Sequence, residues 1–578
     1  MARVLCVIGA RLNSSRLPGK HLLDLAGRPL IARLVERLER VPAIDDIVLA
    51  TTADDYNRPL VAWCETEGQS CFAYTGDVND LVGRVDAVVG QYAPDILVYC
   101  CGDSPLIEPA TLQRLIEAMQ AAPGVERAVI QADASGRPPI HEGFDLYSRS
   151  LWKRAVQAST RPEHREHVGS VLREWREPLQ VTEVEENAVF HRIQHRLSVD
   201  TVSDYRFMSR VYDDWYADNP EHSIVSLPWL IGRMESEPEL RAINRSVRQR
   251  TVGETAGKAL LVTCAGPEAG LGHLSRSVVM ARLLQDRLGY GVRLAVLGPE
   301  EVLQEPLPAD FFSDIDSLLE TVTAVDYQVL VMDWPWQQQP FSPQVLAQLT
   351  GRAGCSLGID MPPEWQRHVD IVYLPACAVR HQEAYDPEKL VYGWDSYLFH
   401  APARRREWRD RDELLVLTGG SDPQGLADIL PALLDAALPD GMRIRWVQGP
   451  FAPAPRLIDH SRLDWHIVRS PAGLEALFDR ARLVVSVFGI STIEALRAGL
   501  PTVVYSPYGD RDKEQLQSLE QAGVAEVAWQ TDDIADRITR LWREPELAGK
   551  RADVAWERLQ RANGDRFVAV VQRCGEQT

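Results

Sequence analysis

The sequence has no C-x-x-C pair among its nine cysteines, which are scattered apart from the adjacent Cys100 and Cys101. That spacing argues against a thiolate zinc site and a disulfide frame, and predicts reduced thiols. No apolar run approaches the roughly 18 residues that a membrane-crossing helix needs. The first residues lead straight into a strand-like run, without a charged-then-apolar leader. The expectation is a cytoplasmic protein that does not engage a membrane. Positive charge is also short, with 62 Lys and Arg against 82 Asp and Glu and a formal net charge of −20. Such a chain repels polyanions at long range, which argues against nonspecific nucleic-acid binding. Phosphorylated ligands must then be held by local positive loops or by metal ions. Short-period repeats and low-complexity tracts are missing as well.

What the chain does have is length and alternation. Its 578 residues exceed one ordinary core and leave room for roughly three average domains or two large ones. Strand-like apolar runs alternate with amphipathic helical stretches in two series. The first comprises Val4–Ile8, Ile47–Ala50, Ile96–Cys100 and Ala128–Ala132. The second comprises Ala259–Thr263, Val292–Leu297, Gln328–Met332, Leu414–Leu417, Arg443–Val447, Leu483–Val487 and Thr502–Tyr505. This predicts α/β architecture, with parallel sheets covered by helices on both faces. A polar stretch from Asn244 to Lys258 separates the series, with the boundary near residue 255. The expected domains are 1–250, 258–405 and 406–578. The charged run Arg404-Arg405-Arg406-Glu407 at the second boundary reads as a solvated crossover.

The loop after the first strand reads Gly9-Ala-Arg11-Leu-Asn-Ser14-Ser15-Arg16-Leu-Pro-Gly19-Lys20. Fixed positive charge and backbone donors between a strand and a helix suit a triphosphate, although a solvated basic turn has the same composition. Asp103 follows the strand Ile96–Cys100 at its carboxyl end, where open α/β sheets bind ligands. A second acidic cluster, Asp200 and Asp204, follows another apolar run. Two carboxylates from such positions suit Mg²⁺, which takes few carboxylates and keeps water and phosphate oxygens; helix capping is the alternative, and Asp204 is assigned to it.

Four ordered blocks carry a resemblance here: Ala10–Lys20, Gly76-Asp-Val-Asn-Asp-Leu-Val-Gly-Arg84, Gly102-Asp-Ser-Pro-Leu-Ile-Glu-Pro109 and Leu197-Ser-Val-Asp-Thr201. Over residues 1 to 250 the chain resembles sugar-acid cytidylyltransferases, in particular the spore-coat-polysaccharide branch related to CMP-Kdo and CMP-sialic acid synthetases. Arg165-Glu-His-Val168 and Glu239–Asn244 fit the same branch. The resemblance implies a Rossmann-like nucleotidyltransferase domain that is a homodimer candidate. It assigns Arg11, Ser14, Arg16, Lys20 and Arg84 to CTP, with Arg11 and Lys20 also stabilising charge in the reaction, and Asp103 and Asp200 to Mg²⁺. Asn13 stands where the family often has a small residue. His141, Glu142 and Asp145 lie on a segment that faces either the acceptor sugar or solvent.

The second series opens with Gly266-Pro-Glu-Ala-Gly270-Leu-Gly272-His273-Leu-Ser-Arg276, running into a helix over Ser277–Leu288. A histidine in a helix's first turn is disfavoured from protonation and suited to accept a proton; capping or core packing is the other reading. Further on, Gly489-Ile-Ser491-Thr492-Ile-Glu494 opens another helix. Its hydroxyls and amides suit a diphosphate and its carboxylate a ribose, but Ser491-x-x-Glu494 also fits a capping box. Together with Leu417–Pro423, Val447–Pro450 and Ile490–Pro501, these motifs make residues 258 to 575 resemble B-type glycosyltransferases. Within that architecture the likeness is to UDP-sugar hydrolases of pseudaminic acid synthesis. The resemblance implies that His273 activates water at the anomeric carbon of a UDP-amino sugar. It implies too that Gly489, Ser491 and Thr492 hold the diphosphate and Glu494 the ribose. Asp333-Trp-Pro-Trp336 departs from the family's Asp-x-Tyr, and Ile359-Asp360-Met361 from its paired aspartates.

The combined expectation is a fused enzyme of nonulosonic (sialic-acid-like) sugar synthesis. One half frees an amino sugar from UDP, a separate phosphoenolpyruvate-dependent synthase extends it, and the other half activates the nonulosonic acid with CTP. The rivals are a true glycosyltransferase or a noncatalytic nucleotide-sugar-binding module in the second half.

Overall fold

The computed structural model describes residues 2–248, 257–266, 269–300, 303, 306–337, 341–400, 403–422, 424–471, 473–506, 509 and 512–575. The expected boundary near residue 255, Pro267, Glu268, Pro402 and Pro423 lie outside them. The chain forms two compact units, Met1–Ala256 with 285–289 and 306–308, and the remainder from Gly257 onward.

The first unit is built on a five-stranded sheet. Its order is Cys71–Tyr74, Asp46–Thr52, Val4–Gly9, Ile96–Cys101, Phe144–Ser148. The first four strands are parallel and the last is antiparallel. The two central strands, VLCVIG and ILVYCC, are buried along nearly their whole length, as expected where helices cover both faces. From Val4–Gly9 the chain winds outward through two strands, then returns to add Ile96–Cys101 on the other side. The loops after Gly9 and Cys101 therefore diverge from a topological switch point, where a crevice opens. The expected strand Ala128–Ala132 is corrected: it spans Arg127–Ile130 and pairs with Val181–Val184 in a separate two-stranded sheet. Its half-buried alternation does not suit the fully covered main sheet.

The second unit holds two parallel sheets that repeat this logic. The order of the first is Ala309–Phe312, Gly291–Leu297, Lys258–Cys264, Tyr327–Asp333, Ala353–Ile359, Ile371–Tyr373, Leu390–Val391. The second runs Asp464–Arg469, Arg443–Gln448, Glu413–Leu417, Ala481–Val487, Thr502–Tyr505, Glu526–Ala528. Their switch points lie between Lys258–Cys264 and Tyr327–Asp333, and between Glu413–Leu417 and Ala481–Val487.

Three expectations need correction. The segment 406–578 does not stay with the second sheet, because the last helix, Asp565–Gly575, returns to the first. Phe567 meets Tyr373 edge-on at 5.6 Å, and a Cys355–Cys574 disulfide joins that helix to the strand Ala353–Ile359. The same bond corrects the expectation that every thiol is reduced: two cysteines 219 residues apart meet only because the helix crosses back. The charged run near 405 is not simply solvated either, since Arg406 is buried against Asp479 and Arg405 pairs with Asp553.

Candidate functional sites

In the first unit the switch point brings the cationic loop and Asp103 together. Gly102 donates its N–H to the Gly9 carbonyl at 3.0 Å, and a Cβ at Gly102 would lie 2.8 Å from that oxygen. Only glycine allows so close an approach. The loop Ala10–Gly19 is closed by Gly19 N–H to the Leu12 carbonyl at 2.8 Å, with Gly19 in the left-handed region at φ 69°. That turn aims Lys20 back at the strand ends. The segment bearing Asp200 is laid alongside by Val199 N–H donating to the Asp103 carbonyl at 2.8 Å.

The Lys20 ammonium donates to Asp103 Oδ2 at 2.6 Å and to Asp200 Oδ1 at 2.8 Å. Arg16 lies 3.1 Å from Asp200 Oδ2, and Arg196 pairs with the same carboxylate. Burial pushes the Asp200 carboxyl up, but the charges of Lys20, Arg16 and Arg196 outweigh it and hold the group well below the usual range. Burial likewise pulls Lys20 down, and Asp103 and Asp200 more than restore it. Beside it, burial and then the Lys20 charge lower His21 to about 4, so it is neutral. Asp204 forms a capping box with Thr201 at the start of helix Val202–Asp218, as the capping reading expects.

Arg11 and Arg84 form a second cationic group. Arg11 donates to Asn79 Oδ1 at 2.8 Å, and both residues donate to the Val78 carbonyl, at 3.1 and 2.8 Å. Arg84 is 2% exposed, has no carboxylate partner among the described residues, and leaves its buried Nε without an acceptor. Burial and then the neighbouring Arg11 lower its pKa. A guanidinium so placed calls for an anion. The Ser14 hydroxyl accepts the Leu17 N–H at 3.3 Å inside the loop. His141 is buried 3.2 Å from Glu186, Asp145 pairs with Arg127, and exposed Glu142 accepts from Ser198. These three do not converge on one point.

The second unit has an unforeseen cluster. His273 is the second residue of the helix Gly272–Leu288. Thr263 and Asp333 are register partners on the central strands, so Asp333 lies beside the loop that leads to that helix. The Asp333 Oδ1 takes the His273 Nδ1 at 2.6 Å. A carboxylate can only accept, so Nδ1 is the donor in this contact, and in a neutral imidazole Nε2 is then the acceptor; among the described residues Nε2 has no partner. Arg276, one turn on, donates to both Asp333 oxygens at 2.6 and 2.7 Å and to Asp360 Oδ2 at 2.5 Å. Asp333 is fully buried; burial raises its carboxyl, but Arg276 and His273 hold it below its ordinary value. Sequence reasoning noted this aspartate only as part of a divergent motif. The signal that could have found it is its place at a central strand's carboxyl end, the same position that singled out Asp103. The aromatics after it are core residues: Trp334 stacks on Phe341 at 4.4 Å, and Trp336 donates to the Ile359 carbonyl.

Opposite lie the loops after Leu417 and Val487. A Cβ on Gly449 would come within 2.4 Å of the Gly419 carbonyl, so glycine lets these loops touch; a Cβ on Gly420 would lie 3.6 Å from Leu271 N. The helix Ile490–Arg497 begins after Gly489 with no side-chain cap, so Ser491 and Glu494 form no capping box. Ser491 is half-buried, and its hydroxyl has no partner among the described residues. Burial, then Glu475, raises the half-buried Glu494 carboxyl to about 7. The Thr492 hydroxyl is buried and donates to the Val487 carbonyl at 2.8 Å, so it is the backbone N–H of this residue that is left for an anion.

These geometries can be set beside known proteins. Residues 5–217 match the family model described as Cytidylyltransferase, so this part of the chain is a cytidylyltransferase-family domain. A 3-deoxy-manno-octulosonate cytidylyltransferase of Anaeromyxobacter sp. (strain Fw109-5) is 39% identical over 132 residues, 22% of this chain and 51% of the relative. The chain thus spans about half the length of such relatives. The spore coat polysaccharide biosynthesis protein SpsF of Bacillus subtilis (strain 168) is 27% identical over 237 residues, 40% of this chain and 95% of the relative. Among solved structures, Acinetobacter baumannii MurG is 14% identical and covers 55% of this chain and 99% of its own, with a TM-score of 0.37. Among the described residues, no helix is long and apolar enough to cross a membrane.

Proposed function

We propose that the first unit couples CTP to a sugar acid, giving a CMP-sugar and pyrophosphate. The observation that carries this reading is the meeting of Lys20, Asp103 and Asp200 at the switch point of a cytidylyltransferase-family domain. Arg11, Ser14, Arg16 and Arg84 surround the phosphates. Asp103 and Asp200 suit Mg²⁺, because both reach one common point and Asp200 stays ionised. The bound cation supplies charge neutralisation at the phosphoryl groups. Lys20, now salt-bridged to both carboxylates, is then free to turn to phosphate oxygens. A sugar hydroxyl attacks the α-phosphate in line, and no covalent enzyme intermediate is needed.

For the second unit the reading is hydrolysis of a UDP-linked amino sugar. Asp333 fixes His273 with Nε2 as the acceptor; Nε2 takes a proton from water as its oxygen attacks the anomeric carbon and UDP departs. Gly489, Ser491 and the Thr492 N–H receive the diphosphate, and Glu494 the ribose. A buried carboxylate aligning a histidine is more than a binding loop needs, which weighs against a noncatalytic module. The pairing of activities fits a cytoplasmic route to nonulosonic acids, with a phosphoenolpyruvate-dependent synthase between the two steps and homodimerisation through the first unit. Mass spectrometry of the chain with CTP, Mg²⁺ and a panel of nonulosonic acids tests the first activity; no CMP-sugar from any of them refutes it. Free sugar and UDP without added acceptor support hydrolysis. UDP release that needs an added acceptor makes the second unit a transferase.

A further inference from the structure

Asp360 is the carboxylate of the cluster that the hydrolytic chemistry does not use. It follows Ile359, the register partner of Asp333 on the adjacent parallel strand, so the two carboxylates emerge side by side at the carboxyl edge of one sheet. Their environments differ sharply. The Asp333 side chain is 0% exposed with both oxygens engaged, whereas that of Asp360 is 40% exposed and only Oδ2 is engaged, by Arg276. Oδ1 of Asp360 has no partner among the described residues. The residue also sits in the left-handed region at φ 51°, a conformation that costs a side-chain-bearing residue energy and that aspartate tolerates better than most. Here it sets an open carboxylate on the far side of Arg276 from Asp333, the aspartate that holds His273. Arg276 ties this carboxylate to the one that aligns the base.

We propose that Asp360 is the sugar-reading residue of this site: its carboxylate accepts hydrogen bonds from O–H or N–H groups of the nucleotide-linked sugar, and by charge it rejects sugars that carry a carboxylate. The inference rests on the nucleotide-sugar reading of the second unit. A carboxylate can only accept, so it favours neutral sugars rich in donors, such as acetamido sugars. An acidic sugar brings like charge toward Asp360 and offers an acceptor where a donor is wanted, and such mismatches are what make a polar site selective.

The test is calorimetric titration of the full chain carrying His273→Asn, so that turnover does not consume the probes. The probes are UDP, UDP-N-acetylglucosamine and UDP-glucuronic acid. In this parent the glucuronate should bind at least about 10-fold more weakly than the acetamido sugar, the lower range for one hydrogen bond to a charged group. Adding Asp360→Asn, which tolerates positive φ, should bring that ratio to unity or below, because Arg276 is then free to meet the uronate. UDP itself should bind within about twofold of the parent. Asp360→Gly, at home at φ 51°, should do the same, guarding against an artefact of the amide. An equal preference for both sugars in the parent, or an unchanged ratio in both variants, overturns the assignment. If the parent binds no UDP, the nucleotide reading fails and takes this inference with it.

Discussion

Replacing Asp333 with Asn tests the second site at its least exposed point. The side chain keeps its volume but loses its charge, and three donor contacts lose an anionic acceptor: His273 Nδ1 at 2.6 Å and Arg276 at 2.6 and 2.7 Å. An amide has one acceptor oxygen. If it serves Arg276, its NH₂ faces His273 and favours the tautomer with the proton on Nε2, which cannot accept one from water. Loss of a correctly held base is worth about 10²–10⁴ in turnover, or about 3–5 kcal/mol at 1.36 kcal/mol per decade. Arg276 keeps Asp360 as a partner, so part of the ion-pair energy survives and the fold should persist. Nucleotide recognition is assigned to the opposite loops, so the Kd for UDP should stay within about threefold while kcat for sugar release falls. A phosphate- or UDP-coupled steady-state assay reads kcat, and a UDP titration reads Kd. Turnover above about a third of wild type would show that the carboxylate does not align the base, and equal loss of UDP affinity would mean a general disruption of the cleft.

Asp103→Asn should lower CMP-sugar formation at least about 10²-fold while leaving sugar release by the second unit intact, and Lys20→Ala should raise the KM for CTP more than that for the sugar acid; near-normal CMP-sugar yield or a selective sugar-acid defect would reassign that loop. Glu494 has its carboxyl raised to about 7 by burial, so it is largely protonated at pH 6 and ionised at pH 8. The ionised form accepts from both ribose hydroxyls, so UDP affinity should rise between those pH values, and the part of the rise due to this group should vanish in Glu494→Gln. Denatured, unreduced protein should titrate as seven thiols and reduced protein as nine, from nine cysteines less the Cys355–Cys574 pair; nine without reduction would exclude the bond.

The alternation of apolar runs with amphipathic stretches determined the class of fold, because a doubly covered parallel strand must be apolar throughout. It located the central strands of the three large sheets to within a few residues. Motif order determined which loops carry phosphate-binding chemistry, since glycines and cations there act through backbone and charge whatever surrounds them. The sequence missed the edge strand Leu390–Val391 and its neighbour Ile371–Tyr373, which are too short for a periodicity to register. Tertiary structure alone decided which charges meet. Lys20, Asp103 and Asp200 are separated by up to 180 residues and joined by a crossover. His273 and Asp333 lie 60 residues apart and pair because their strands are neighbours around a switch point. The Ser491-x-x-Glu494 capping box is a local pattern that the fold declines, and the Thr201–Asp204 box is one that it makes. Local sequence offers the same bonds in both cases; burial and the direction of chain entry choose between them.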